Sequence, residues 1–396
     1  MSSPIDLTGD LDIQIPSWIL EDWLPIRNKS VFHLFAFNQY PANKTHYTKP
    51  KDFVPMLHGD HIPFFKPATL PHFSIPVNPS VSKTYQDAIR SAQHPVNSIT
   101  LVPHPGNGGP VMLPVWIFEY WREMELALSY LEKWKGVMKW LQSYSELPAT
   151  AGHCHKLMTA LSFFPWSGNN VAVKDIACVL SGSSSDESYL ASLHIDHMIG
   201  RISEWHGDLH GQVASRRHVF MTVDVLATII AFYGTKPAPS KVGNHFWGCL
   251  MVIENQIVNG EVDSVCGICH LPGHWTSVVF DIQQGHILYG DSLNHTIPSE
   301  EHKAFTQWIQ RLNTRSRRNM DDNPISIHPL PTSFQNDSIS CGLLALNALS
   351  HHYLNQPLLS PNKISLACAR MEIALDLLSG NTVCPTVLNM QYFNLA

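Results

Sequence analysis

The chain is poor in charge: Asp, Glu, Lys and Arg make up 15% of its 396 residues while 44% are hydrophobic, so it can bury a core and is not a disordered polyelectrolyte. Its small net charge, −6, gives no basis for binding nucleic acid. No apolar run approaches the ~20 residues a membrane-spanning helix needs, and no membrane span is expected. The opening stretch Met1-Ser2-Ser3-Pro4-Ile5-Asp6-Leu7 lacks the basic and apolar regions of a secretory leader. Cysteine is sparse as well: eight, at 154, 178, 249, 266, 269, 341, 368 and 384, without framework spacing. Reduced thiols in an intracellular setting, nucleus or cytoplasm, are therefore expected. There is no internal repeat. The glycine cluster Pro103-His104-Pro105-Gly106-Asn107-Gly108-Gly109-Pro110 is not followed by Gly-Lys-Ser/Thr, which excludes a phosphate loop and leaves a turn.

What the chain does have is unevenly placed. More than half of its 28 prolines fall before residue 115, interleaved with Phe64, Phe65 and Phe73. Proline at that density disfavours long helices and central strands, so residues 1–114 read as irregular structure partly packed on something. Residues 115–145 read as a long helix, because Ile117, Trp121, Met124, Leu128, Leu131, Trp134, Met138 and Leu141 recur at three- and four-residue steps. With a strand-like Asn170–Val173 and a Ser-rich turn at 181–185, residues 115–180 form a helical accessory region. Residues 181–396 form a further domain. In it, 187–203 and 219–233 read as helices, Phe246–Ile253 and Val262–Cys269 as strands, Ser299–Leu312 as a helix, Ile325–His328 as a short strand and Lys363–Leu378 as a final helix ended by Gly380.

The chemistry concentrates in this last region. Gln335-Asn336-Asp337-Ser338-Ile339-Ser340-Cys341-Gly342 lies between a Pro-rich loop and the apolar run Leu343–Leu349, which reads as a helix with Ser338 as its cap. A thiol in the first turn of a helix meets unpaired N–H groups and the positive end of the dipole, which favour an anion, and the thiolate is the nucleophilic form. Upstream, His274-Trp275 opens the strand-like run Thr276–Asp281. Gln284-Gly285 marks a turn, and His286–Tyr289 returns to Gly290-Asp291-Ser292. A hairpin can bring the start of one strand beside the end of the next, and so His274 beside Asp291, 17 positions away. A thiol needs a base, the base needs an acidic orienter, and a tetrahedral oxyanion needs a donor. The chain supplies His274, Asp291, Gln335 and Cys341, each at an element boundary.

These residues resemble the ubiquitin-like-protein-specific cysteine proteases, the SUMO-protease type related to the adenovirus protease. The likeness rests on His274-Trp275, Tyr289-Gly290-Asp291-Ser292-Leu293, and Gln335 six positions before Cys341-Gly342. A weaker match, Tyr189-Leu190-Ala191-Ser192-Leu193-His194-Ile195, lies upstream. Ser340 stands where the family has Asp, and Tyr189 and Ser192 where it has Trp and Asp. The resemblance spans roughly residues 180–355. It implies an α+β, papain-like or adenain-like fold: a central mixed sheet flanked by helices, with the nucleophile at a helix N-terminus. It implies cleavage after the Gly-Gly tail of a ubiquitin-like modifier, in a precursor or a conjugate. His274, Asp291, Gln335 and Cys341 would be the catalytic residues, and Trp275 and Tyr189 would form the walls of a tunnel that admits only residues without Cβ. An acyltransferase on a related His-acid-Cys fold and an inactive modifier-binding protein are the alternative readings.

Cys266-Gly267-Ile268-Cys269-His270 matches a c-type haem attachment pattern, and could supply part of a zinc site with His274 or with His153, Cys154 and His155. No secretory leader, further haem-ligand pattern or second zinc-ligand pair at standard spacing accompanies it. The segment reads as the strand and turn before the base, and no metal or cofactor is expected.

Overall fold

The computed structural model describes residues 29–37, 40, 44–45, 56–59, 75–76, 79–101, 111–166, 172–180, 189–211, 216–234, 244–316 and 325–379. It divides into two compact units, residues 1–138 with 159–174, and residues 139–158 with 175–396.

In the first unit, α1 (Val31–Ala36), β1 (Lys44–Thr45), β2 (Met56–His58), β3 (Ile75–Pro76), α2 (Pro79–Ser91), β4 (Ser98–Leu101) and β5 (Val111–Pro114) precede the long helix α3 (Ile117–Ser145). Proline density does not prevent a helix here: α2 runs for 13 residues. Pro79 is its first residue, where the missing N–H removes no helical hydrogen bond. Strand β4 lies between β2 and β5 in an antiparallel sheet. Ile99, Leu101 and Leu113 from this sheet pack with Tyr85, Ile117, Phe118 and Trp121. The aromatic stripe of α3 is a buried face, with Trp121, Met124, Leu131, Trp134 and Leu141 out of solvent.

Next come α4 (Pro148–Phe163) and α5 (Ala172–Leu180). The strand expected over 170–173 is not formed at its described end. Ala172 begins a helix whose Ile176, Ala177, Val179 and Leu180 are buried, a helical rather than alternating pattern. The Ser-rich turn at 181–185, Gly380 and Cys384 lie outside the described residues.

The second unit continues with α6 (Ser192–His210), β6 (His218–Phe220), α7 (Val223–Tyr233), α8 (Asn244–Val258), β7 (Ser264–Leu271), β8 (His274–Asp281), β9 (His286–Gly290), α9 (Ser299–Ser316), β10 (Ser326–Pro329), α10 (Cys341–Leu354) and α11 (Lys363–Leu378). The strands form one mixed sheet in the order β10-β9-β8-β7-β6. Its outer pairs are parallel and its inner pairs antiparallel. This is the α+β arrangement expected. Two local expectations are corrected. The stretch Phe246–Ile253 is helical, because Leu250, Ile253 and Ile257 are the residues it buries, three and four apart; a short apolar run does not distinguish strand from helix by itself. The helix expected over 219–233 begins at Val223, since His218–Phe220 pair with β7 instead.

One face of the sheet, through Val265, Cys269, Val278, Phe280 and Ile287, packs on Leu226, Ile229, Leu250, Phe305 and Trp308 from α7, α8 and α9. Phe280 meets Phe305 and Trp308 edge-on at 5.1 and 5.0 Å between ring centroids, contacts of about 0.5–1.5 kcal/mol each beyond their area. Glu254 of α8 is fully buried and accepts from Tyr233 Oη (3.1 Å), Trp308 Nε1 (3.1 Å) and Arg315 Nη1 (2.5 Å), tying α7, α8 and α9 together. At the other end of the sheet, Tyr353 of α10 meets Phe220 and the Ser264 hydroxyl. The five-stranded sheet is thus held between α7–α9 and the helix that begins at Cys341.

Candidate active site

The hairpin β8–β9 brings together the ends that the sequence suggested. Ser277 pairs with Gly290 and Asp281 with His286, so His274 at the head of β8 lies beside the residue just past β9. Asp281 Oδ1 accepts from the N–H groups of Gln283 and Gln284, which fixes the turn and with it the register. Gly290 has no room for a side chain: a Cβ there would stand 2.5 Å from both Ser277 Oγ and Thr332 Oγ1.

His274 Nε2 donates to Asp291 Oδ1 at 2.8 Å, and the two side chains are only 12% and 2% exposed. The same carboxylate oxygen accepts from the N–H of Leu293 at 2.7 Å. Cys341 is the second hydrogen-bonding partner of the imidazole. With Nε2 committed to Asp291, the ring nitrogen left for sulfur is Nδ1. The bonds to Asp291 and then to Cys341 push the imidazole up to about 9, against its partial burial. Burial works to raise the Asp291 carboxyl, but the bonds from His274 and Leu293 outweigh it and hold the group below its ordinary value. An acidic orienter, a ring that holds its proton at neutral pH and a thiol therefore stand in line.

Cys341 is the first residue of α10 and is 1% exposed. The cap is not Ser338, which is exposed, but Ser340. The Ser340 side chain makes no capping bond to the helix, although its carbonyl accepts from the Leu344 N–H at 3.0 Å; its hydroxyl donates to Asp337 Oδ2 at 2.6 Å. Asp337 Oδ1 accepts from the N–H groups of Ile339 (3.0 Å) and Ser340 (2.9 Å). Burial tends to raise the Asp337 carboxyl, yet these bonds and the charge of Arg370 keep it below the usual carboxylate value. Ser340 stands before Cys341 where the resemblance implies Asp, and the carboxylate in this turn comes instead from Asp337, three residues before Ser340 and bonded to it.

Gln335 sits against Asp291's neighbour. Its N–H donates to Ser292 O (2.8 Å), its Oε1 accepts from Ser292 Oγ (3.0 Å), and its Nε2 donates to Asp337 O (2.7 Å). The carboxamide is thereby held with its nitrogen toward the Cys341 turn, where Nε2 donates to Asp337 O and, at 3.4 Å, to Asp337 Oδ1.

Trp275 is buried and donates from Nε1 to Leu190 O at 3.0 Å. The helix expected from 187 starts at Ser192, so Tyr189 and Leu190 precede it, Tyr189 half-buried. Leu190 is buried and lines Gly342 as well: a Cβ at 342 would lie 3.2 Å from Leu190 Cβ and 3.3 Å from Ile195 Cδ1. Sequence reasoning missed Leu190, Ser292 and Asp337. All three are next to, or within two residues of, positions it selected, which was the available signal. The two thiols of the Cys-x-x-Cys segment are three apart on β7. Cys269 belongs to the core facing α7–α9, whereas Cys266 bonds to Tyr353 on the α10 side. Burial pushes the Cys269 thiol up to about 12 and Cys266 upward too. Among the described residues, no group of three His, Cys, Asp or Glu is placed to hold a metal ion.

Residues 250–372 match the model of the Ulp1 protease family, C-terminal catalytic domain. No curated protein matches the chain. Several solved structures show a limited similarity. The C-terminal Ulp1 protease domain in complex with Smt3, the yeast ortholog of SUMO, is 17% identical over 52% of this chain and 82% of that one, with a TM-score of 0.37. The Ulp1-like SUMO protease catalytic domain of Chaetomium thermophilum is 16% identical over 48% and 73%, with a TM-score of 0.38. ChlaDub1 of Chlamydia trachomatis is 14% identical over 48% and 94%, with a TM-score of 0.28. The matched stretch is about a third of the chain and contains His274, Trp275, Asp291, Gln335 and Cys341, so this segment is similar to the catalytic domain of the Ulp1 cysteine proteases.

Proposed function

We propose that this protein is a cysteine-type peptidase or isopeptidase that cleaves after the C-terminal Gly-Gly of a SUMO-type ubiquitin-like modifier, in a precursor or in a lysine conjugate. Cys341 is the nucleophile, His274 the base and later the acid, Asp291 the orienter of the ring, and Gln335 an oxyanion donor with the Cys341 N–H. The observation that carries this reading is the His274 Nε2–Asp291 Oδ1 bond of 2.8 Å on a ring whose other partner is Cys341.

The sulfur attacks the Gly carbonyl and an S–C bond forms; the oxygen gathers charge against the Gln335 amide and the Cys341 N–H. His274 gives its proton to the amine as the C–N bond breaks. Water, deprotonated by His274, then attacks the thioester and releases the modifier's carboxylate. Trp275 and the Tyr189-Leu190 segment grip the tail; the Trp275–Leu190 bond supports this by joining the two, and Leu190 in turn packs against Gly342. The family match favours hydrolysis over acyl transfer to a second substrate. We take residues 181–396 as the catalytic domain and 1–114 and 115–180 as regions accessory to it.

A SUMO-type modifier with a C-terminal electrophile tests the reading. It forms a covalent adduct with the wild-type chain, and Cys341→Ala abolishes the adduct. An adduct that persists in that variant makes another thiol the nucleophile and overturns the assignment.

A further inference from the structure

We infer that Arg370, on α11 and remote in sequence from every catalytic residue, is a positioning residue for the nucleophile: its guanidinium sets the peptide that leads into Cys341. The inference rests on the roles just proposed for Cys341 and its N–H. Arg370 is 3% exposed. Arginine is almost never fully buried unless its charge and donors are engaged, because removing the ion from water is costly. Here the fork joins two separate elements. Nη1 donates to Val179 O at 2.9 Å, at the end of α5, and Nη2 donates to Ile339 O at 3.1 Å, two residues before the nucleophile.

The Ile339 carbonyl belongs to the same peptide plane as the Ser340 N–H, which donates to Asp337 Oδ1 at 2.9 Å. Arg370 and Asp337 therefore grip this peptide from its two ends. That fixes the dihedral angles entering Ser340, and with them the direction of the following Cys341 N–H. In an oxyanion site the direction of such a donor matters more than its presence, since it must point where charge develops. The guanidinium also lies in the field of Asp337, Cys341 and Tyr144. Its charge favours a carboxylate at 337. Burial pulls the guanidinium down to about 10, which leaves it charged at neutral pH. One side chain thus serves both the alignment and the electrostatics of the helix start.

The test uses the full chain with Arg370→Lys and Arg370→Met. Two rates are compared: turnover of a modifier C-terminal amide, and alkylation of Cys341 by iodoacetamide, which needs sulfur but no oxyanion donor. Lysine keeps the charge without the fork. Arg370→Lys is expected to lose on the order of ten- to a hundredfold in kcat, as for a misplaced catalytic group, with KM and alkylation within about twofold of wild type. Arg370→Met, which removes the charge and the fork together, is expected to lose at least as much kcat. A role limited to general stability would lower the melting temperature and leave kcat per folded molecule intact. Wild-type kcat in folded Arg370→Lys overturns the proposal, and that variant decides alone if Arg370→Met does not fold. Labelling that survives Cys341→Ala would instead remove the underlying assignment of the nucleophile, an outcome distinct from failure of the Arg370 inference.

Discussion

Replacing Asp291 by Asn removes the charge that holds the His274 proton while keeping the shape of the site. His274 rises from an ordinary 6.5 to about 9, with Asp291 the first cause and Cys341 the second. That difference corresponds to ~3 kcal/mol in favour of the imidazolium. Asp291 is the first of these causes, so removing its charge lowers the population of the protonated ring at neutral pH. A raised value means that the contact stabilises the fold fully below about 6.5 and that this contribution disappears as pH rises through about 9. In Asp291→Asn, the alkaline limb of kcat/KM, which reports loss of the His274 proton, should move down from near 9. The kcat at neutral pH should fall further than the population alone requires, because Asn can also offer its N–H side to the ring and select the wrong tautomer. The assay is a pH series of kcat/KM on a modifier carrying a fluorogenic C-terminal amide, with circular dichroism at each pH to separate turnover from unfolding. An alkaline limb still near 9, with kcat/KM within twofold of wild type, would refute the claim that Asp291 sets the state of the base.

Three further outcomes follow from the packing. Gly342→Ala places a Cβ 3.2 Å from Leu190 and 3.3 Å from Ile195, and should cost about 1–3 kcal/mol by overpacking, read in denaturant melts, together with a loss of kcat as α10 shifts. Trp275→Phe keeps an aromatic wall but removes the 3.0 Å bond to Leu190 O; KM for the modifier should rise several-fold with a smaller change in kcat, and an unchanged KM would separate Trp275 from the tail. Arg315→Leu leaves Glu254 fully buried without its closest cation, and should destabilise the chain by roughly 3 kcal/mol, the scale for breaking a buried pair; a melting temperature within 1 or 2 degrees of wild type, where about 2–4 degrees per kcal/mol is expected, would count against that network.

The sequence by itself determined the elements whose signal is local. The β8–β9 hairpin follows from a β-branched run, a Gln-Gly turn and a returning run, and α9 and α11 follow from periodic burial. Three members of the proposed catalytic set were readable because each ends or begins such an element: His274 opens β8, Asp291 follows β9, Cys341 opens α10. Where signal was ambiguous, tertiary context decided. Phe246–Ile253 is apolar enough for a buried strand, and it is a helix because the sheet it packs on presents a groove for Leu250, Ile253 and Ile257 on one side. His218–Phe220 could continue a helix, and they form a strand because the edge of β7 is there to pair with them. Only the tertiary structure decided which groups surround the reacting atoms from afar. That the Leu190 carbonyl meets Trp275, 85 positions on, and that Arg370 reaches back 31 positions to Ile339, has no trace in local pattern. Hydrogen bonds between distant segments depend on where packed helices and strands deliver their ends, and periodicity reports a residue's face without reporting what that face will meet.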